Sequence, residues 1–135
     1  MTCGGAASPR LPGRMRASFH WLPVAAWAGL IFFFSAQSDL RFLPDASADF
    51  VIRKVGHAGV FGILALLLWR ALAGTTAWRR PWAWAFVIAV LYAASDEWHQ
   101  AFVSGRGPAL ADVGIDSIGA GVAIVAVAFL RSRRS

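Results

Sequence analysis

The sequence predicts an all-α integral membrane protein, a four-helix bundle with both termini in the cytoplasm. Three observations carry that prediction. Hydrophobic residues make up 58% of the 135-residue chain, and its mean hydropathy is +0.57, too oily for a soluble domain of this size. Four apolar stretches each approach the roughly 20 residues that cross about 30 Å of hydrocarbon. Basic residues gather in short clusters between those stretches, as topology signals do, so the net charge of +6 points to membrane orientation and away from nucleic acid as a partner.

Residues 1–18 are rich in Gly, Pro, Ser and Arg with no apolar period, and are expected to form a disordered cytoplasmic arm. Cys3 is the only cysteine, which excludes a disulfide within the chain; with no apolar run before it, it reads as a free thiol. The membrane domain covers residues 19–131, with 132–135 as a cytoplasmic tail. Its first span is expected at about 19–36, with Pro23 in the opening turn, where a missing amide costs little. A cleaved signal peptide is disfavoured because Phe34 would occupy the position where signal peptidase needs a small residue. The second span is expected at about 50–73, closed by Gly74-Thr75-Thr76. The third runs from 81 to about 100 with Pro81 in its first turn. The fourth spans about 112–130, after a loop marked by Gly105, Gly107 and Pro108.

Orientation follows from the basic residues. Arg10, Arg14, Arg16, Arg70, Arg79, Arg80, Arg131, Arg133 and Arg134 fall on one side, against Arg41, Arg53, Lys54 and Arg106 on the other. Nine against four of the thirteen basic residues places the first side in the cytoplasm. All seven acidic residues then belong to the opposite, extracytoplasmic half. Counting along each helix from its cytoplasmic arginine puts His57, Asp96 and Asp116 at heights of about 20, 24 and 22 Å. Ionisable groups at one such depth are expected to face each other or a wet cavity, so a polar pocket open to the outside is predicted.

Helical spacing sorts these residues into faces. Lys54 and His57 share one face of helix 2, beside a stripe of Gly56, Gly59 and Gly62 expected to seat another helix. Asp96, His99 and Gln100 share a face of helix 3, with Glu97 turned toward another neighbour. On helix 4, Asp112 and Asp116 are one turn apart, and Ser117 with Gly121 forms a small-residue pair. Structural roles compete with functional ones. Asp112 suits an N-cap, Asp116 complements the helix dipole, and Arg53 can extend to lipid headgroups. Asp96 paired with Arg106 or Lys54 serves equally as a bundle lock or as part of a site.

Named catalytic patterns are absent: no His-Glu-x-x-His, no Gly-x-Ser-x-Gly and no phosphate-cradling Gly-rich loop. No cofactor is indicated. A metal held by His57, Asp96 and Asp116 is possible by count, but without a close ligand pair a proton-bridged network is the better reading.

Four ordered stretches resemble the VanZ-like family: Phe34-Ser35-Ala36-Gln37-Ser38-Asp39, Arg53-Lys54-x-x-His57-x-x-x-Phe61, Asp96-Glu97-x-His99-Gln100-x-Phe102-x-x-x-Arg106, and Asp112-Val113-x-x-Asp116-x-x-Gly119-Ala120. The similarity covers about residues 19–130, and the part from Asp96 to Gly119 is the most specific. Phe61 stands where many relatives carry tyrosine, and Ala123 replaces a frequent late glycine. The resemblance implies a four-helix membrane protein of a family named for a factor associated with resistance to the glycopeptide teicoplanin. It implies motif positions at Gln37, Lys54, His57, Asp96, Glu97, His99, Gln100, Arg106, Asp112 and Asp116, without fixing a reaction.

Three functions fit to different degrees. One is an envelope-remodelling enzyme, in which Lys54 and Arg106 hold a lipid-linked or anionic group while His57 or His99, tuned by Asp96 or Asp116, moves a proton. Another is a binding or accessory protein that engages glycopeptide, lipid or another envelope protein through the same pocket, with Gln37, Lys54, Glu97, Gln100, Arg106 and Asp112 as binding residues. A monomeric carrier is disfavoured because residues 63–68, 84–89 and 122–129 carry no charged side chain across the inner half.

Overall fold

The computed structural model describes residues 13–37, 44–103 and 110–134. They form four α-helices in chain order: α1 (Gly13–Ser35), α2 (Ala46–Thr75), α3 (Pro81–Gln100) and α4 (Leu110–Ser132). α2 packs against all three others; α1 meets α3 over a short stretch and does not reach α4 among the described residues. Alternating chain direction makes α2 and α4 parallel. Paired contacts run in the same sense along both, from Lys54 with Asp112 to Trp69 with Arg131.

Local chemistry explains most helix ends. Asp45 caps α2, its carboxylate accepting from the Ser47 hydroxyl (2.6 Å) and the Ala48 amide (2.7 Å). Those two bonds hold the Asp45 carboxyl below the usual carboxylate range. The other end of α2 does not use a left-handed glycine. The helix passes through Gly74, and the Thr75 and Thr76 hydroxyls donate to the Ala71 and Leu72 carbonyls, each at 2.7 Å. Gly74 instead makes room for α1: a Cβ there would lie 2.8 Å from the His20 ring. Pro81 opens α3 as expected.

α1 begins at Gly13, several residues before the apolar stretch expected from about Phe19. Pro23 therefore lies inside the helix and not in its first turn, leaving the carbonyl one turn back without its amide partner. α2 and α4 likewise extend a few residues beyond their apolar cores. Three helices are long and apolar enough to cross a membrane, within Ala17–Ser35, Ala46–Thr75 and Leu110–Ser132. α3 has the length but not the uniform apolarity, because Asp96, Glu97, His99 and Gln100 occupy its last turn and a half.

The core is built on α2, where Phe61, Leu64, Ala65, Leu68 and Leu72 are buried, and meets Ala85, Ala89 and Ala93 of α3. Large apolar side chains such as Leu22, Phe33, Val55, Leu91, Ile118 and Val125 are exposed along the outside. Apolar surface outside with carboxylates inside is the arrangement a lipid solvent selects.

The tightest seam joins α2 to α4. A Cβ on Gly119 would run into the Ala58 backbone, at 2.6 Å from its carbonyl carbon and 2.7 Å from its Cα. A Cβ on Gly62 would lie 3.1 Å from the Gly119 carbonyl oxygen and 3.3 Å from the Ala123 Cβ. Only Gly62 of the expected glycine stripe seats a helix; Gly56 and Gly59 face open space. Gly119→Ala is therefore expected to force the helices apart and destabilise the fold by about 1–3 kcal/mol. Gly59→Ala is expected to be neutral or stabilising by up to about 1 kcal/mol. Thermal unfolding of the two variants in detergent checks the contrast, and equal midpoints would contradict the seam.

Candidate functional site

Two buried stripes bring polar groups to one end of the bundle. On α3 the stripe of Ala85, Ala89 and Ala93 continues, at the same helical spacing, into Asp96, Glu97 and Gln100, all buried. On α4, Asp116, Ala120 and Ile124 form the matching stripe, with Asp116 only 1% exposed. Each carboxylate thus replaces an apolar knob at one end of a packing face.

α2 and α4 join through two successive polar rungs. The Lys54 ammonium forms a close ion pair with Asp112, both side chains partly exposed. One turn deeper, His57 Nδ1 stands 3.8 Å from Asp116 Oδ2, with the histidine side chain 28% exposed and the carboxylate buried. That distance is beyond a good hydrogen bond but within reach of an ion pair once the imidazole is protonated. Asp112 belongs to the first turn of α4, which starts at Leu110, so its carboxylate is spent on Lys54 and not on an N-cap.

α1 and α3 form the second polar contact. The Ser35 hydroxyl donates to Asp96 Oδ2 at 2.7 Å, and Gln100 Nε2 donates to the same oxygen at 2.9 Å. Asp96 is therefore paired neither with Lys54 nor with another cation among the described residues. His99 stacks on Phe32 of α1 with ring centroids 4.3 Å apart, and its Nε2 is buried with no hydrogen-bond partner. Asp96 Oδ1 and Asp116 Oδ1 are likewise buried without partners among the described residues.

Of the expected site residues, the structure brings together Lys54 with Asp112, His57 with Asp116, and Asp96 with Gln100. Glu97 is buried at the same end. Gln37 lies just past the end of α1 and donates to the Phe33 carbonyl at 3.4 Å. Arg106 lies outside the described residues. No group of three or more potential metal ligands occurs among the described residues.

Further polar residues take part at this end. Asp49, only 2% exposed, accepts from Arg53 Nε at 3.0 Å one turn later on α2, with the arginine side chain 35% exposed. Their i, i+4 spacing is the readable sign. Ser35 is visible in the Phe-Ser-Ala-Gln stretch, but its role needs the α1–α3 contact. Tyr92, whose hydroxyl donates to the Ala28 carbonyl at 2.7 Å, has no sequence signal beyond its polar tip.

Fold and site together define a small helical membrane protein with a carboxylate-rich, ion-paired end. Comparison with known families sharpens this: the VanZ/LLP1 family model matches residues 17–131. The chain belongs to the VanZ/LLP1 family. No curated protein and no solved structure matches it.

Removing the Ser35 hydroxyl leaves buried Asp96 with one donor fewer. Ser35→Ala is expected to destabilise the fold by about 1–3 kcal/mol, whereas Ser95→Ala, which loses only an exposed bond to its own helix, should stay within about 0.5 kcal/mol. Unfolding midpoints in detergent distinguish the two.

Proposed function

We propose that this chain is a cell-envelope membrane protein that crosses the bilayer four times. Both termini are cytoplasmic, and the polar end receives a ligand from the extracytoplasmic side. The distribution of arginines supports the orientation. The observation that carries the binding role is the trio of buried polar atoms, Asp96 Oδ1, Asp116 Oδ1 and His99 Nε2, without protein partners among the described residues. Buried groups of this kind cost about 1–3 kcal/mol each unless water or a ligand meets them. Lys54 and Arg106 suit an anionic or lipid-linked envelope ligand, and a glycopeptide such as teicoplanin is the partner the family's association suggests.

A second function, acid/base catalysis on an envelope substrate, is favoured by one particular feature. His57 is partly exposed while Asp116 behind it is buried, the order in which a carboxylate orients a proton-transferring imidazole. Asp116→Asn keeps the shape and removes the charge. In a teicoplanin-susceptible bacterium expressing the protein, Asp116→Asn is expected to retain membrane levels and lose any gain in tolerance. Unchanged tolerance at normal levels would exclude proton chemistry at Asp116. His57→Ala and Asp96→Ala are expected to behave alike, and loss of the protein from membranes would instead assign these residues to architecture.

Orientation has its own check. A membrane-impermeant maleimide applied to intact cells is expected to label Arg106→Cys in a Cys3→Ser background. Native Cys3 should react only after permeabilisation. Labelling of Cys3 in intact cells would reverse the proposed topology.

A further inference from the structure

At the end of the bundle remote from the ion pairs, α2 and α4 part to leave a groove of about 620 Å³. Its lining is mostly apolar, including Ile63, Leu66, Leu67, Trp69 and Val127, and carries two arginines, Arg70 and Arg131, on the side away from Ile63. From Ile63 to Gly74 the groove follows α2 for about 16 Å. The Arg131 guanidinium lies 4.7 Å from the Trp69 ring centroid, a stacking contact that holds it above the groove. We propose that this groove binds one anionic phospholipid, with an acyl chain along the apolar walls and the phosphate on Arg70 and Arg131.

Charge selects this occupant. No carboxylate lines the groove, and every acidic residue of α2, α3 and α4, namely Asp49, Asp96, Glu97, Asp112 and Asp116, lies toward the opposite end. Two guanidiniums beside an apolar trough match a molecule with an anionic head and a hydrocarbon tail in that order. A second copy of the chain inserted in the same sense would bring the same arginines to the same level and meet repulsion. The inference needs the membrane setting but not the ligand proposed for the polar end, so either can fail alone.

Native mass spectrometry of the full-length protein in detergent, with equal dioleoyl phosphatidylglycerol and dioleoyl phosphatidylcholine, tests it. One phosphatidylglycerol per chain is expected to be retained in preference to phosphatidylcholine. Arg70→Gln, a change at an exposed position that leaves packing intact, should lower that retention about fivefold, and Arg70→Gln with Arg131→Gln at least tenfold. Arg79→Gln with Arg80→Gln, on the turn before α3, should change it much less. Equal retention of the two lipids, indifference to the arginine substitutions, or displacement by glycerol 3-phosphate alone would each overturn the proposal. So would a dimer that fills the groove without lipid.

Discussion

The close backbone approach of α2 and α4 at Gly119 is the constraint from which the polar end follows. Ala58 fills the place a Gly119 side chain would take, and Gly62 and Ala123 continue the seam one turn on. Lipid offers no hydrophobic gain for pressing two apolar helices together, so small residues and polar bonds must supply the association. With parallel helices locked in this register, the residues next to and one turn before Ala58 on α2 face those one and two turns before Gly119 on α4. These are His57 with Asp116 and Lys54 with Asp112. The N-terminal ends of both helices carry positive dipole charge, and Asp49, Asp112 and Asp116 cluster there to offset it.

α3 and α1 complete the enclosure by a different route. The alanine stripe of α3 lets that helix lie close to its neighbours, and the same stripe then delivers Asp96, Glu97 and Gln100 into the space the alanines have kept narrow. α1 contributes little to the deep core but supplies Ser35 to Asp96 and the Phe32 ring to His99, while Trp27 Nε1 donates to the Val60 carbonyl at 2.9 Å. α1 therefore acts as a strap across the polar end. A helix with buried carboxylates need not be apolar throughout, because its neighbours and not lipid meet its charged turn. That is why α3 falls short of the composition of the other three helices.

Height was legible in the sequence and azimuth was not. Counting residues from the basic clusters places His57, Asp96 and Asp116 at one level, and the structure does gather polar groups at that end. Which partner each one takes depends on rotation about the helix axis, which spacing alone cannot give across separate helices. Hence Lys54 meets Asp112 and not Asp96, and Gly62 seats α4 while Gly56 and Gly59, on a similar stripe, face outward. Helix ends depart from the apolar pattern where the helix outlasts its apolar stretch: Gly13 to Ser18 include two arginines and three small residues, yet continue α1. The third helix spans Pro81–Gln100, with Pro81 at one end and the polar cluster at the other.

A purely architectural account of the polar end faces an energetic objection. Buried ion pairs seldom stabilise a fold more than well-packed apolar residues of similar volume would, since desolvation offsets most of the attraction. The α2–α4 seam already has a sufficient device in Gly119, Gly62 and Ala123, and the α3 seam in its alanines. Extending those stripes with alanine or leucine would have joined the same helices without burying a carboxylate that keeps an oxygen unpartnered among the described residues, as both Asp96 and Asp116 do. The pairing of a buried acid with a partly exposed histidine adds an ionisable partner that packing does not require. Retained cost of this kind favours a role for the polar end in ligand binding or proton transfer, with the apolar stripes beneath it providing the rigid frame.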